Sequence, residues 1–382
     1  MSAENWRKIV ADLSKKENID SFLSNSRQKL TSIFEIAEGV PTDLVGLDIG
    51  PERIRLLKIN SGSTPFQVVE YATKPLPSGV IVKDEIKNAD AIGTALRDLI
   101  RETGSTAKFA AVAIPKTLAI IKSITVDKRF SADDIESRAW IEANRQFPDL
   151  VGNIYLDFTI TGPSTQNPDQ LDLLIVACRK EHIKTYLEVI QMAGLQPVIV
   201  DVDCYALERS LQVVAANQTD EAHTIALLNV NVSQSSLIVL SKQNLIYAHD
   251  QSFDGQRLLK QVDEFIKSKI TQAGNDEVTV AASEATYRAI LQEGFLSHLR
   301  HTIHFFYSSR SNISIDKIFI AGDLTIIPDF AAFIEMELGI KTVLAEPFVN
   351  MKINASLDAA EIQKDAPALM LCCGLALSRT GE

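Results

Sequence analysis

Short apolar runs and stretches of helical periodicity alternate along most of the chain, which predicts a mixed α/β protein. Just after residue 43, β-branched runs bounded by Gly, Pro and Ser predict a β-meander, and helices then alternate with further strands. The predicted strands are Leu44–Asp48, Ile54–Ile59, Gln67–Thr73, Phe109–Ile114, Ile154–Thr161, Leu171–Cys178 and Pro197–Val202. The predicted helices are Ala89–Glu102, one that begins after Ser131 as N-cap and ends at Pro148, and His182–Ala193.

The first 42 residues have a different pattern. Four apolar residues follow the i, i+3, i+4, i+7 spacing of an amphipathic helix: Trp6, Ile9, Val10 and Leu13. A second helical stretch is predicted to run to about Glu38. Acidic and basic residues are mixed here, whereas helices that bind a membrane surface are rich in Lys and Arg. We therefore expect an N-terminal helical extension, residues 1–42, that packs on the protein itself or on a partner.

The strand, turn, strand pattern near residue 45 returns 181 residues later. Val45–Ile59 pairs without a gap with Ala226–Leu240, so that Asp48 falls on Asn229 and Gly50 on Asn231. A period of this length indicates a domain duplication rather than a solenoid. Chance matching of apolar strand residues is the alternative interpretation.

Composition excludes several classes of protein. The length of 382 residues predicts two to three domains, and the net charge of -11 argues against a protein that coats nucleic acid. The four cysteines form no C-x-x-C, so we expect reduced cytoplasmic thiols rather than disulfides or a zinc ribbon. The sequence shows neither a signal peptide nor an apolar run of the roughly 20 residues that span a bilayer.

If the two strand, turn, strand repeats face each other across a cleft, their turns would form a phosphate clamp. Glycine in the turn lets backbone N–H groups approach phosphate oxygens, and an Asp at the strand end holds Mg²⁺ through water. In the first copy Asp48 and Gly50 supply these parts, and Arg53 or Arg55 adds positive charge. The alternative is that Asp48 and Gly50 merely close a turn.

These residues carry a family resemblance. The run Val45–Ile59 resembles the first phosphate loop of the PilM family, the actin-like, FtsA-like cytoplasmic proteins of type IV pilus assembly. The resemblance covers about residues 43–379. The other matching segments, in order, are Lys74–Val80, Ile92–Leu96, Val112–Pro115, Ile141–Pro148, Asp172–Lys180, Ala193–Val202, Phe253–Leu258, Ile318–Gly322, Leu338–Ile340, Glu346–Phe348 and Ala368–Ala376.

The resemblance implies an actin-like (ASKHA) fold of two duplicated α/β domains, with an FtsA-type subdomain inserted in the first. It implies domain I at residues 43–222 with the insertion at about 116–200, domain II at 223–345, and a return to domain I at 346–382. It also implies a cleft for ATP with Mg²⁺. By residue match, Asp48 would hold the metal, and the nucleotide-binding residues would be Asp48, Gly50, Arg53, Arg55, Asn229, Asn231, Gly255 and Gly322.

The family further implies a protein partner, the cytoplasmic N-terminal peptide of the inner-membrane protein PilN. The protein would couple PilN to other inner-membrane and motor components of the pilus machinery. Its location would be cytoplasmic and peripheral at the inner membrane, through that partner. We expect the peptide groove near Ile114–Ile124 and the helix from Ser131 to Phe147, where an extended peptide could add to an edge strand.

Three expected nucleotide loops depart from the family pattern. In the first, Pro51 has no N–H and Glu52 adds negative charge. In the second, Asn229 and Asn231 replace the usual Asp and Gly, so a carboxylate is lost. The third is usually rich in glycine but reads Gly-Asp-Leu-Thr from Gly322. These departures favour weak ATP binding or none, and they argue against useful hydrolysis.

Two other function classes share this fold. A phosphotransferase of the actin and sugar-kinase superfamily needs phosphate positioning and Mg²⁺, and turnover of ATP with an acceptor would support it. An FtsA-like division or polymerising protein shares the inserted subdomain. FtsA ends in a basic amphipathic membrane helix, which is not seen after the last core segment of this sequence, and sedimentation with ATP would reveal filaments.

Overall fold

The computed structural model describes residues 34–35, 43–146, 152–164, 166–216, 222–271 and 277–378. The chain divides into two compact units, the first formed by Met1–Arg209, Met351–Leu357 and Leu371–Glu382, the second by Ser210–Asn350 and Asp358–Met370. The strands are β1 Phe34–Glu35, β2 Leu44–Ile49, β3 Arg53–Asn60, β4 Gln67–Pro75, β5 Ile81–Val82, β6 Glu85–Ile86, β7 Phe109–Ile114, β8 Ala119–Asp127, β9 Ile154–Pro163, β10 Gln170–Arg179, β11 Gln196–Val202, β12 Thr224–Val230, β13 Gln234–Ser241, β14 Asn244–Ser252, β15 Lys317–Ala321, β16 Lys341–Leu344 and β17 Lys352–Ile353.

The α-helices are α1 Ala89–Thr103, α2 Ala132–Gln146, α3 Lys180–Met192, α4 Asp203–Ala216, α5 Gly255–Thr271, α6 Glu277–Leu291, α7 Ser297–Ser309, α8 Phe330–Leu338, α9 Ala359–Asp365 and α10 Met370–Ala376. Residues Gln292–Leu296 form one π-helical turn between α6 and α7, and Asp323–Ile326 form a 3-10 turn after β15. In the part of the chain covered by these ranges, no helix is both long and apolar enough to cross a membrane.

The main sheet of the first unit has seven strands in the order β1-β11-β7-β2-β3-β4-β17. Strands β2, β3 and β4 form the predicted antiparallel meander, while β7 runs parallel to β2, and β11 runs parallel to β7. Strands β2 and β7 are buried along most of their length, which is expected of apolar runs in the middle of a covered sheet.

One short strand corrects the prediction for the N-terminal extension. Phe34 and Glu35 lie within the stretch predicted to be helical up to Glu38, but they form β1 and pair antiparallel with Val200 and Ile199 of β11. Local periodicity cannot reveal this pairing, because the partner strand lies far along the chain. The rest of the predicted extension, including the Trp6–Leu13 stripe, lies outside the described residues.

The first unit also contains a separate three-stranded sheet in the order β8-β10-β9, with α2 packed on one of its faces. The predicted N-cap of α2 is confirmed, since the Asp134 N–H donates to Ser131 Oγ at 3.2 Å and the Ser131 N–H donates to Asp134 Oδ2 at 3.1 Å. This sheet ends at Arg179, after which α3 packs on α1, and β11 belongs to the main sheet. The predicted bounds of the insertion, about 116–200, stay a prediction.

The five-stranded sheet of the second unit repeats the centre of the first. Its order is β14-β13-β12-β15-β16, again an antiparallel meander followed by two parallel strands. Asp48 lies opposite Arg55 in the first meander, and Asn229 lies opposite Ser236 in the second, so the offset of 181 holds on both strands of each pair. This agreement confirms the duplication, because chance matching of apolar residues would not preserve strand register.

The helix α10 packs closely against β2 and α4 through glycines. A Cβ added at Gly46 would lie 2.4 Å from the Cys372 carbonyl oxygen, and one at Gly374 would lie 1.7 Å from the Ala206 carbonyl oxygen. Cys372 and Cys373 are fully buried in this contact. Burial raises the pKa of the Cys373 thiol to about 12 and that of Cys372 well above its ordinary value, which favours protonated thiols at neutral pH.

Candidate functional site

The first candidate loop connects β2 to β3 in the first unit and is held by an ion pair. Asp48 and Arg55 are directly opposite each other in the antiparallel pair, so their side chains lie on the same face. Arg55 Nη1 donates to Asp48 Oδ2 at 3.1 Å, and the two side chains are only 7% and 16% exposed. Cys372 Sγ donates to the Arg55 carbonyl at 3.5 Å, a contact that the sequence did not indicate.

A backbone hydrogen bond within the loop closes its turn. The Gly50 N–H donates to the Arg53 carbonyl at 3.1 Å, and Pro51 has no N–H. The nearest atom to a Cβ added at Gly50 would be the Arg53 carbonyl oxygen at 3.4 Å, an ordinary contact. The structure therefore brings Asp48, Gly50, Arg53 and Arg55 together, but glycine is not required by the shape of this turn.

The second candidate loop connects β12 to β13 in the second unit. Asn229 is buried near the end of β12, and two residues later the Asn231 N–H donates to the Gln234 carbonyl at 2.8 Å, which repeats the Gly50 turn. Asn231 also accepts through its side chain, since the Asp323 N–H donates to Asn231 Oδ1 at 3.2 Å. This amide therefore ties the second loop to the third, a link that spans 92 residues of sequence.

Two glycines lie next to Asn231, and both lie too close to the backbone of neighbouring residues to carry a side chain. Gly322 has φ 92° and ψ -178°, and a Cβ there would lie 2.5 Å from the Val230 carbonyl oxygen. A Cβ at Gly255 would lie 2.8 Å from the Val232 carbonyl oxygen. Their N–H groups are also engaged, by the Pro367 carbonyl at 3.1 Å and the Val232 carbonyl at 2.7 Å respectively. The second unit thus brings Asn231, Gly255 and Gly322 together.

Taken separately, the loop of each unit fits Mg²⁺ and phosphate poorly. A magnesium ion held by Asp48 would compete with the Arg55 guanidinium for the same carboxylate, and Asn229 of the second loop carries no charge. The N–H groups of Gly50, Asn231, Gly322 and Asp323 already donate to protein acceptors. Within the described ranges, no group of three or more His, Cys, Asp or Glu side chains is placed to hold a metal ion.

A second candidate site, for a peptide, lies on the three-stranded sheet of the first unit. Strand β8 is at the edge of this sheet and carries three half-buried isoleucines, Ile120, Ile121 and Ile124. On α2, which covers the sheet, Ile141 is 58% exposed, and Glu142 forms an ion pair with Lys122 of β8. An edge strand with half-buried apolar side chains is suited to an extended peptide.

A buried acceptor lies on the same helix. Asn144 Oδ1 has no hydrogen-bond partner among the residues that the structure describes. The strand is also fixed at its start, because the Lys116 N–H, one turn before β8, donates to Asp203 Oδ1 at 3.0 Å. The predicted region of the groove, Ile114–Ile124 with the helix after Ser131, therefore contains an edge strand, an exposed apolar residue and an unsatisfied acceptor.

Comparison with solved structures identifies the fold. A PilM–PilN type IV pilus biogenesis complex matches with a TM-score of 0.71 and 20% identity, covering 89% of this chain and 99% of that chain. The ethanolamine utilization protein EutJ from Carboxydothermus hydrogenoformans matches with a TM-score of 0.45 and 14% identity, covering 93% of this chain and 98% of that one. The predicted actin-like fold, with its duplicated α/β domains and inserted subdomain, is confirmed.

Comparison with protein families gives the identity at family level. The family model described as "Type IV pilus assembly protein PilM" matches residues 46–380. This match runs from the first candidate loop through the inserted sheet and the second unit to the buried helix α10. Because it spans most of the sequence, the chain belongs to the PilM family of type IV pilus assembly proteins.

Proposed function

We propose that this protein is an adaptor of type IV pilus biogenesis that binds the cytoplasmic N-terminal tail of the inner-membrane protein PilN. It couples PilN to other inner-membrane and motor components, and it resides in the cytoplasm, at the inner membrane through this partner. The observation that carries the proposal is the family match over residues 46–380. The likeness to a structure described as a PilM–PilN complex supports the choice of partner.

The peptide site of this proposal is the edge of β8 together with α2. An extended peptide could pair with the outer edge of β8 by main-chain hydrogen bonds, and its apolar side chains could pack on Ile141. Burying one exposed isoleucine contributes about 2 kcal/mol, which is enough to affect affinity measurably.

The test is a calorimetric titration of the full-length protein with the cognate PilN N-terminal peptide. We expect saturable binding at one site, and none with a scrambled peptide of the same composition. Ile141→Asp should weaken binding at least about tenfold, which corresponds to roughly 1.4 kcal/mol. Val349→Asp is the matched control, because Val349 is also 58% exposed but lies in the second unit. Failure of the folded wild-type protein to bind the peptide would refute the proposal.

We also propose that the nucleotide loops are degenerate and that the fold serves partner binding. The Asp48–Arg55 ion pair and the internally bonded N–H groups support this view, because Mg²⁺ and phosphate would have to displace existing contacts. The test is ATP binding with Mg²⁺, measured on wild type and on Asp48→Ala. Equal and negligible binding in both is expected, while clear wild-type binding that Asp48→Ala abolishes would establish a working nucleotide site.

A further inference from the structure

The second unit has an exposed apolar groove that the proposed function does not use. It lies between α8, β16 and the 3-10 turn after β15, with a volume of about 700 Å³, and we call it the α8 groove. Most of its lining residues are apolar. Ile326, Met336 and Leu344 are 69%, 57% and 40% exposed, so three large apolar side chains from three different elements are gathered on one surface. Surface patches of this kind are typical of docking sites.

One side of the α8 groove is a strand at the edge of a sheet. In the part of the chain that the structure describes, β16 is the last strand of the order β14-β13-β12-β15-β16, and it pairs with β15 alone. The Ala345 N–H, directly after β16, donates to the Ile320 carbonyl of β15 at 2.8 Å. Because the backbone groups of successive strand residues point to opposite sides, those of Thr342 and Leu344 point away from β15. Main-chain groups at such an edge are suited to an extended peptide.

The charged residues that line the groove, Asp329 and Glu335, are both acidic. Glu335 is held at the outer edge of β16, because its Oε2 accepts the Thr342 N–H at 2.9 Å. Asp329 directly precedes α8 with φ 54° and ψ 19°, and within the described ranges its side chain makes no hydrogen bond that caps this helix. Two carboxylates beside an apolar surface favour a ligand with basic groups next to its apolar ones.

We propose that the α8 groove binds an extended segment of another protein that has apolar residues at alternate positions, flanked by Lys or Arg. Alternate side chains of an extended segment lie on the same face, so its apolar residues would pack on Ile326 and Met336. Its backbone would pair with the outward groups of Leu344, and its basic side chains would reach Asp329 and Glu335. Apolar burial would supply affinity, and the charges would select basic over acidic segments.

This site is independent of the proposed PilN site. The α8 groove is formed by residues of the second unit, whereas β8 and α2 belong to the first. Binding at one site does not require binding at the other, so the two proposals can fail separately.

The test is a fluorescence anisotropy titration of the full-length protein with a fluorescein-labelled peptide, Lys-Thr-Ile-Thr-Ile-Thr-Lys. This probe places its isoleucines and lysines on one face when extended. We expect saturable binding that weakens as salt is added, because the charge pairs are exposed. The matched acidic probe, Glu-Thr-Ile-Thr-Ile-Thr-Glu, should bind at least about tenfold more weakly.

Variants of the protein assign this binding to the groove. Met336→Asp should weaken binding of the basic probe at least about tenfold, and Ile326→Asp in a different element should do the same, so misfolding of one variant does not decide the result. Glu335→Gln should weaken it about threefold and reduce its salt dependence, since glutamine keeps an oxygen for the Thr342 N–H. Val349→Asp is the control and should change nothing, because Val349 is 58% exposed but does not line the groove.

Two N-methylated forms of the basic probe test the pairing with β16. In an extended segment the N–H groups of alternate residues face the same edge, so methylation of the isoleucines or of the threonines should abolish binding, and methylation of the other set should not. Equal binding of both forms would overturn the proposal. It would also be overturned if the folded wild-type protein does not bind the basic probe, if the acidic probe binds equally well, or if Met336→Asp and Ile326→Asp leave binding unchanged.

Discussion

At the scale of residues, the candidate nucleotide loops are stabilised by contacts made within the protein itself. Asp48 and Arg55 neutralise each other in a nearly buried pair, and Asn231 bonds through both its backbone and its side chain. Removing one member of a buried ion pair typically costs about 3 kcal/mol, because the other charge is left without compensation. In the structure, therefore, these residues have a structural role that does not require a nucleotide.

Gly322 and Gly50, in the third and first candidate loops, should respond differently to substitution. Gly322→Ala should lower the free energy of unfolding by about 3 kcal/mol, because φ is 92° and the new methyl group would lie 2.5 Å from a backbone oxygen. Gly50→Ala should change it by less than about 1 kcal/mol, because the methyl group makes only ordinary contacts. Urea unfolding of both variants measures the difference, and equal losses would contradict this account.

His298 makes stability depend on pH. Burial, with a smaller contribution from His301, lowers the pKa of His298 to about 4, and its Nε2 lies 2.6 Å from Ser235 Oγ. The unfolded chain, with an ordinary pKa of about 6.5, binds the proton more readily, so this stabilisation is present above about pH 6.5 and is lost as the pH falls towards 4. The free energy of unfolding, measured with urea at pH 7 and at pH 5, should fall more between these two pH values for wild type than for His298→Gln. The same loss in both proteins would exclude His298 as the cause.

At the scale of elements, local and repeated patterns were predictable and distant contacts were not. The meander, the β7 strand and the Ser131 cap follow from spacing and turn chemistry within a few residues, and the duplication follows from the 181-residue offset. The helix predicted to run to Glu38 was wrong at Phe34–Glu35, because these residues pair with the distant strand β11. The Asn231–Asp323 contact was missed for the same reason, since its partners are 92 residues apart.

The crossing of α4 and α10 should be highly sensitive to side-chain volume. Gly374→Ala places a methyl group 1.7 Å from the Ala206 carbonyl oxygen, and Arg209 Nε also donates to the Gly374 carbonyl at 3.0 Å, which restricts movement of α10. We expect Gly374→Ala to lower the free energy of unfolding by more than about 3 kcal/mol. This loss exceeds the gain of about 1 kcal/mol that alanine brings in helix propensity.

The matched control for Gly374→Ala is Gly93→Ala in α1. The nearest atom to its methyl group would be Met192 Cβ at 2.9 Å, followed by Cε and Sδ at 3.0 Å, so the neighbouring helix must shift slightly but far less than at Gly374. Thermal unfolding of the two variants should therefore give a clearly smaller loss for Gly93→Ala. A tolerated Gly374→Ala would show that α10 can move away from α4.

At the scale of the whole molecule, the two copies of the duplicated fold share their strands but differ in charge at the candidate loops. The second copy has Asn229 where the first has Asp48, and the first copy pairs its carboxylate with Arg55. Core positions of both meanders remain fully buried, with Leu56 and Leu237 at 0% exposure in equivalent positions. Burial thus accounts for the retained architecture in each unit without reference to ATP.

The change in thermal stability that each candidate ligand causes can show which of them the protein binds. A ligand that binds only the folded protein stabilises it by about 2.7 kcal/mol at a concentration one hundred times its Kd. We expect the PilN N-terminal peptide to raise the midpoint of thermal unfolding, and MgATP to leave it unchanged in wild type and in Asp48→Ala alike. Because Asp48→Ala also removes the ion pair with Arg55, each protein is compared with itself, with and without ligand. A shift with MgATP in wild type that is absent in Asp48→Ala would show that nucleotide binding depends on Asp48, and the loops would then be a working nucleotide site.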